Sequence, residues 1–330
     1  MLNPDIKLNA KIFDSDVEAA ATRDGFGKGV TEAGEKDERV IVLCADLADS
    51  TRAAWFQEKF PKRYIEIGVA EQNLAATGSG FAAAGKIPFV TSYAAFNPGR
   101  NYEQIRTTIA LNQMPVKVCG MHAGVSVGPD GATHQMLEDM GLMRMLPNMV
   151  VVYPADSEEA RKATIAAAQN GKPTYLRFAR EKTPIMTTFD TPFEIGKAYT
   201  LWKSENPQVA IIGCGPLLHE ALKAAKQLED EGISVSVINS HTVKPLDTET
   251  ILAAAKEAGA VVTVEEHQAA GGFGSAVAEF LSEHHPVPLE MVAVRDRFGQ
   301  SGTPEELIRE YGLDAATIAE AVKRTVARKK

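Results

Sequence analysis

The residues able to do chemistry in this 330-residue chain lie in short polar stretches between apolar runs. Glu71 is the most informative, within IEIGVAEQNLAATGSGFAAAG at 65–85. A carboxylate just past a glycine turn falls in the first turn of a helix, where the helix dipole favours negative charge. The helix it opens is crowded with small residues, Gly78 and Gly80 among them, and a helical glycine costs about 1 kcal/mol against alanine. Such a surface admits a close neighbour. Two readings of Glu71 follow: a first-turn acid on a tightly packed helix, or a carboxylate shielded from water that exchanges a proton with a bound group. Other candidates are Asp46 and Ser50 in ADLADS, Tyr93 in SYAA, His122 to His134 in HAGVSVGPDGATHQ, and Arg177 and Arg180 in RFAR.

These residues need elements to position them. Apolar runs at Val40–Cys44, Tyr64–Ile67, Ile87–Tyr93, Pro115–Met121, Met149–Val152 and Thr174–Phe178 read as strands. Between them lie helical stretches at Asp16–Ala33, from about Glu71, at Asn101–Asn112 and Met136–Met145, and from Asp156 to about Gln169. Asp156 with Glu159, and Thr303 with Glu306, have the spacing of capping boxes. The alternation predicts an α/β fold of two domains, each a mainly parallel sheet flanked by helices. Domain limits are expected at 12–185 and 207–330, with 186–206, marked by Pro192 and looser patterning, as linker. In such sheets ligands bind beyond the carboxyl ends of strands, where the polar candidates fall.

Composition narrows the function. The chain is 45% hydrophobic with net charge −8, which argues against nucleic-acid binding. No apolar run approaches the ~18 residues of a membrane span. The N-terminal stretch lacks the apolar segment of a signal peptide. Cys44, Cys119 and Cys214 are dispersed in apolar runs without metal-ligand spacing. A cytoplasmic protein with no metal site of its own is expected. Gly213-Cys-Gly215 and Gly271-Gly272-Phe-Gly274 are incomplete dinucleotide fingerprints, accounted for by tight turns. His267 reads as a structural histidine.

ADLADS, GVAEQN, SYAAF, DGATHQ and YPAD, in this order and spacing, resemble the carboxy-terminal half of transketolases: the pyrimidine-binding domain followed by the C-terminal domain. The resemblance covers nearly the whole chain and implies a thiamine diphosphate enzyme that transfers a two-carbon ketol unit between phosphorylated sugars. Glu71 matches the glutamate that contacts the aminopyrimidine N1′ and promotes ylide formation. Tyr93 and Phe96 fall where aromatics stack on the pyrimidine, and Asp46 matches an acid reaching cofactor bound across a dimer interface. Asp130 and His134 match residues near the donor's hydroxyls. Arg23, Ser50, His122 and Arg180 match positions that hold the sugar phosphate; two arginines, a hydroxyl and an imidazole suit that anion.

The chain departs from the family pattern at Ala70 and Gln72, which replace an arginine and a histidine beside the glutamate, and at Ile87 and Val90, which replace aromatics. It carries no GDG with a distant asparagine, the family's pattern for Mg²⁺ and diphosphate. The resemblance therefore implies one subunit of a split enzyme. An amino-terminal partner is expected to hold the Mg²⁺ ligands, and homodimerisation of this chain to give a heterotetramer. Alternatives are a split transketolase for a branched or sulfonated sugar, a deoxyxylulose-phosphate synthase-like enzyme, and a non-catalytic subunit. A nucleotide-binding oxidoreductase using the Gly213 turn lacks a complete fingerprint.

Overall fold

Strands rich in valine and isoleucine build the first sheet, because β-branched side chains pack well on a pleated surface covered on both faces. Its seven strands lie in the order Thr242–Lys244, Val150–Val152, Thr174–Arg177, Lys117–Met121, Ile87–Tyr93, Val40–Cys44 and Tyr64–Glu66. All pair in parallel except the first, which runs antiparallel to its neighbour. The second sheet is ordered Leu289–Val294, Val261–Gln268, Val209–Gly213, Val235–Asn239 and Tyr199–Trp202, parallel but for the last. The computed structural model describes residues 1–329. Among them no helix is long and apolar enough to cross a membrane.

The expected two-domain α/β architecture is present, with differences in detail. Residues 186–206 are not only linker: Tyr199–Trp202 is the edge strand of the second sheet, so that domain begins before residue 207. The Thr242–Lys244 strand of the second domain completes the first sheet. The N-terminal residues also join the second domain, with Asn3 donating to the Leu201 carbonyl and Ile12 in its apolar core. The first helix spans Thr22–Lys36, displaced from Asp16–Ala33 by a short strand at Ala19–Ala21. The stretch expected as one helix from Asn101 opens as Tyr102–Gln104 and widens into a π-helix over Ile105–Ala110.

Caps are set locally, as expected. Thr303 and Glu306 form a complete capping box. Asp156 accepts from the Glu159 amide, but the Glu159 carboxylate bonds Ala155 N instead of returning to the cap residue.

Arg177 does not face the strand ends. It is fully buried between the domains, where its Nε donates to Asp139 Oδ2 at 2.7 Å and its Nη2 to the Glu266 carbonyl at 2.9 Å. Tyr175 also donates to Asp139 Oδ2, at 2.7 Å. Removing one member of such a buried pair strands a charge in low dielectric. Arg177→Met is therefore expected to lower the unfolding free energy by about 3–5 kcal/mol, read by denaturant titration. A loss below about 1 kcal/mol, the level of an exposed pair, would show that water reaches Asp139.

Candidate active site

Glu71 opens the Glu71–Ala83 helix, entered through Gly68 at φ +78°. That left-handed turn is accessible to glycine without a Cβ penalty. It carries the chain from the end of the Tyr64–Glu66 strand to the helix start. Gly78 explains part of the small-residue surface: a Cβ there would lie 2.5 Å from Val90 Cγ1 on the Ile87–Tyr93 strand. Gly80 faces open space, so only one of the two glycines is required by packing. The close approach seats the helix start beside the end of the Ile87–Tyr93 strand. Glu71 is 1% exposed. Ser92 Oγ donates to Oε1 at 3.1 Å, and Arg100 Nη1 donates to Oε2 at 2.5 Å.

Four rings gather next to this carboxylate. Tyr93 and Phe96 lie 6.0 Å apart at 24°, and Tyr93 stacks on His122 at 4.0 Å and 29°. His134 meets Phe96 edge-on at 5.6 Å and Tyr93 at 6.0 Å. The aromatic members are partly exposed, so the set forms a wall and not a closed core.

A basic cluster adjoins the rings. Arg23 Nη1 lies 3.4 Å from His122 Nε2 and also donates to the Ser50 carbonyl at 2.9 Å. A guanidinium can only donate, so Nε2 is the acceptor and the proton of neutral His122 resides on Nδ1. That Nδ1 is buried without a partner, as is Arg23 Nε. Burial, reinforced by the positive charges of Arg23, Arg180 and Arg52, pushes the His122 imidazole down to about 3. It is therefore neutral near pH 7, a hydrogen-bond donor set among cations. Burial, then the charge of Arg52, also lowers Arg23. Arg180 donates to the Val127 carbonyl at 2.8 Å and lies 3.3 Å from Glu181, its neighbour in sequence. Three residues here hold left-handed backbone without being glycine: Asp46 at φ +58°, Arg52 at +65° and His122 at +56°. Strain of this kind collects at functional sites.

The structure thus brings Glu71, Tyr93, Phe96, His122, His134, Arg23 and the Ser50 backbone to one end of the sheet. Asp46 and Asp130 are exposed on loops. Asp46 is fixed through its backbone, its amide donating to Glu66 Oε1 at 2.8 Å. Sequence reading did not single out Arg100, Ser92 or Arg52. Only Ser92, inside the SYAAF motif, lay next to a residue already chosen.

The unpartnered His122 and Arg23 donors fit a bound oxyanion, and a buried carboxylate beside an aromatic pair fits a heteroaromatic ring with a protonatable nitrogen.

Residues 18–186 match the transketolase pyrimidine-binding domain and residues 196–318 the transketolase C-terminal domain. A transketolase C-terminal section of Methanocaldococcus jannaschii is 40% identical over 91% of this chain and 94% of its own length. The 6-deoxy-6-sulfo-D-fructose transketolase subunit SqwH of Clostridium sp. (strain MSTE9) is 38% identical over 96% of this chain and 98% of its own. A solved split-gene transketolase, described as an inactive β4 tetramer, superposes with a TM-score of 0.88 at 42% identity, covering 94% of this chain and 99% of that one. Against human transketolase, 36% identical over 92% of this chain, the match spans 48% of the human protein's length.

Proposed function

The chain belongs to the transketolase family, and from that premise we propose that it is the carboxy-terminal subunit of a split, thiamine diphosphate-dependent transketolase. It moves a two-carbon ketol unit between phosphorylated sugars together with an amino-terminal partner. One observation carries the reading: a buried carboxylate, an aromatic pair and a basic cluster share the carboxyl end of one parallel sheet. The split is supported by the similar length of the two C-terminal relatives and by the half-length match to the human enzyme. The similar split-gene structure, inactive as a β4 tetramer, supports self-association of this chain as a homodimer or larger unit, without activity until the partner joins.

Thiamine diphosphate, when bound, supplies the carbon centre that takes up the two-carbon unit. The protein supplies orientation, water exclusion and proton positions. Glu71 exchanges a proton with the pyrimidine N1′, and Tyr93 and Phe96 give that ring a face to stack on. Asp46, on a loop held by Glu66, reaches cofactor at a subunit boundary. Asp130 and His134 orient donor hydroxyls, an acid and an imidazole suited to hydrogen-bonding and proton exchange there. Arg23, Arg180, His122 and Ser50 hold the phosphate, with neutral His122 donating through Nδ1. Mg²⁺ and the diphosphate are held by the partner.

The test is substrate discrimination in the reconstituted enzyme. Arg180→Ala is expected to raise KM for phosphorylated donors by roughly tenfold to a hundredfold, the worth of one charge-assisted hydrogen bond. KM for donors without a phosphate should hardly move. An equal rise for both classes would remove Arg180 from phosphate binding. The likeness to SqwH favours one second reading, a sulfonated donor, since a sulfonate presents three oxygens to the same cations. A lower KM for a sulfonated ketose than for its phosphorylated counterpart would select it.

A further inference from the structure

Arg100 has no role in the reading above, yet it makes the shortest contact to the proposed activating group. Its Nη1 donates to Glu71 Oε2 at 2.5 Å. The remaining contacts of Glu71 are rigid. Ser92, which holds Oε1, is fully buried. The Glu71 carbonyl accepts from Asn101 Nδ2 at 2.9 Å. Asn101 is tied to Asn97 at 3.0 Å, and Asn97 donates to the carbonyls of Val90 and Cys119. This buried asparagine ladder fixes the loop on either side of Arg100. The Arg100 side chain itself is 47% exposed against 1% for Glu71, and its guanidinium carbon lies 4.6 Å from the centroid of the Phe96 ring.

One carboxylate oxygen is therefore held permanently, and the other lies beneath a planar cation free to swing outward. The guanidinium N–H at Oε2 stands in for a protonated ring nitrogen: both are planar N–H donors to a carboxylate, and both stack on an aromatic face. Resting on the reading of Glu71 as the cofactor's activator, we propose that Arg100 is a gate on that carboxylate. In the subunit without cofactor it occupies Oε2, and the pyrimidine of thiamine diphosphate must displace it to seat. Arg100 keeps Glu71 paired while the site is open to water. A binding-competent state populated only in part weakens apparent affinity in proportion, so the gate sets how tightly cofactor is held.

The experiment measures thiamine diphosphate binding by calorimetry, in the complex of this chain with its amino-terminal partner in the presence of Mg²⁺. Arg100→Met removes the competing donor and leaves an apolar stem over Phe96. Its Kd for thiamine diphosphate is expected to fall about tenfold, with Arg100→Lys between it and the wild type. In a structure of the loaded complex, Arg100 Nη1 should stand beyond hydrogen-bond distance of Oε2. An unchanged or higher Kd in an Arg100→Met complex that melts as wild type does overturns the gate, as does a loaded complex with the Arg100–Glu71 bond intact. Glu71→Gln separates the two claims. If it is inactive while Arg100→Met fails to tighten binding, the gate alone falls. If it turns over as wild type, the activator reading falls and the gate with it.

Discussion

Glu71→Gln should leave the fold intact and cost the assembled enzyme more than about a hundredfold in turnover, the contribution of a positioned acid–base group. Glutamine matches the shape of glutamate, so the amide oxygen can still accept from Ser92. It cannot give up or take a proton in the working range. In the free subunit the amide nitrogen would face the Arg100 guanidinium, donor against donor, and Arg100 would turn out to solvent. Because that guanidinium is already half exposed, water screens the lost pair, and the melting temperature should move little. The assay needs the partner, cofactor and Mg²⁺ at saturation, so that weakened binding is not mistaken for a lost proton switch. Undiminished turnover would reduce Glu71 to a first-turn helix residue and end its assignment as activator.

The second large effect is all-or-none. The isolated chain should fold, bind thiamine diphosphate weakly or not at all, and show no ketol transfer; mixing with the amino-terminal subunit should restore both. The argument is electrostatic. The diphosphate carries several negative charges and is held with a hard divalent cation by oxygen ligands. In the proposed reading, the loops at the sheet end present only the pyrimidine side of a site, around Glu71, Tyr93 and Phe96. Asp46 and Asp130, the exposed acids nearest in role, sit on separate loops and have other proposed work. Folding without the partner follows from apolar cores that cover both sheets, one of them shared between the two domains. Calorimetric titration of the chain with cofactor and Mg²⁺, followed by an activity assay with and without partner, decides the matter. Tight binding and full turnover by this chain alone would show that the cofactor needs no second subunit.

What the sequence determined by itself is mostly local. Alternating apolar runs and helical stretches carry the parallel two-domain fold, because pleat and helix periodicities are written along the chain. The Thr303 capping box and the glycine turn at Gly68 are equally legible, each involving residues a few positions apart. The motif set around Glu71, Tyr93 and His134 led to the transketolase resemblance through order and spacing alone.

Tertiary structure decided which side chains meet. Arg100 reaches Glu71 across 29 positions and Arg23 reaches His122 across 99. Neither pairing has a periodic signature, since each depends on the path of a loop beyond a strand end. Arg177 shows the limit most directly. It lies three residues before Arg180 and looked like a partner in the same site, yet it is buried against Asp139. Successive strand residues point to opposite faces, so where a strand ends and a loop begins decides whether an arginine reaches the cleft or the domain interface. The Thr242–Lys244 strand likewise belongs by sequence to the second domain and by hydrogen bonding to the first sheet. An edge strand is chosen by which backbone donors and acceptors remain free after the domains pack, and a local pattern carries no record of that choice.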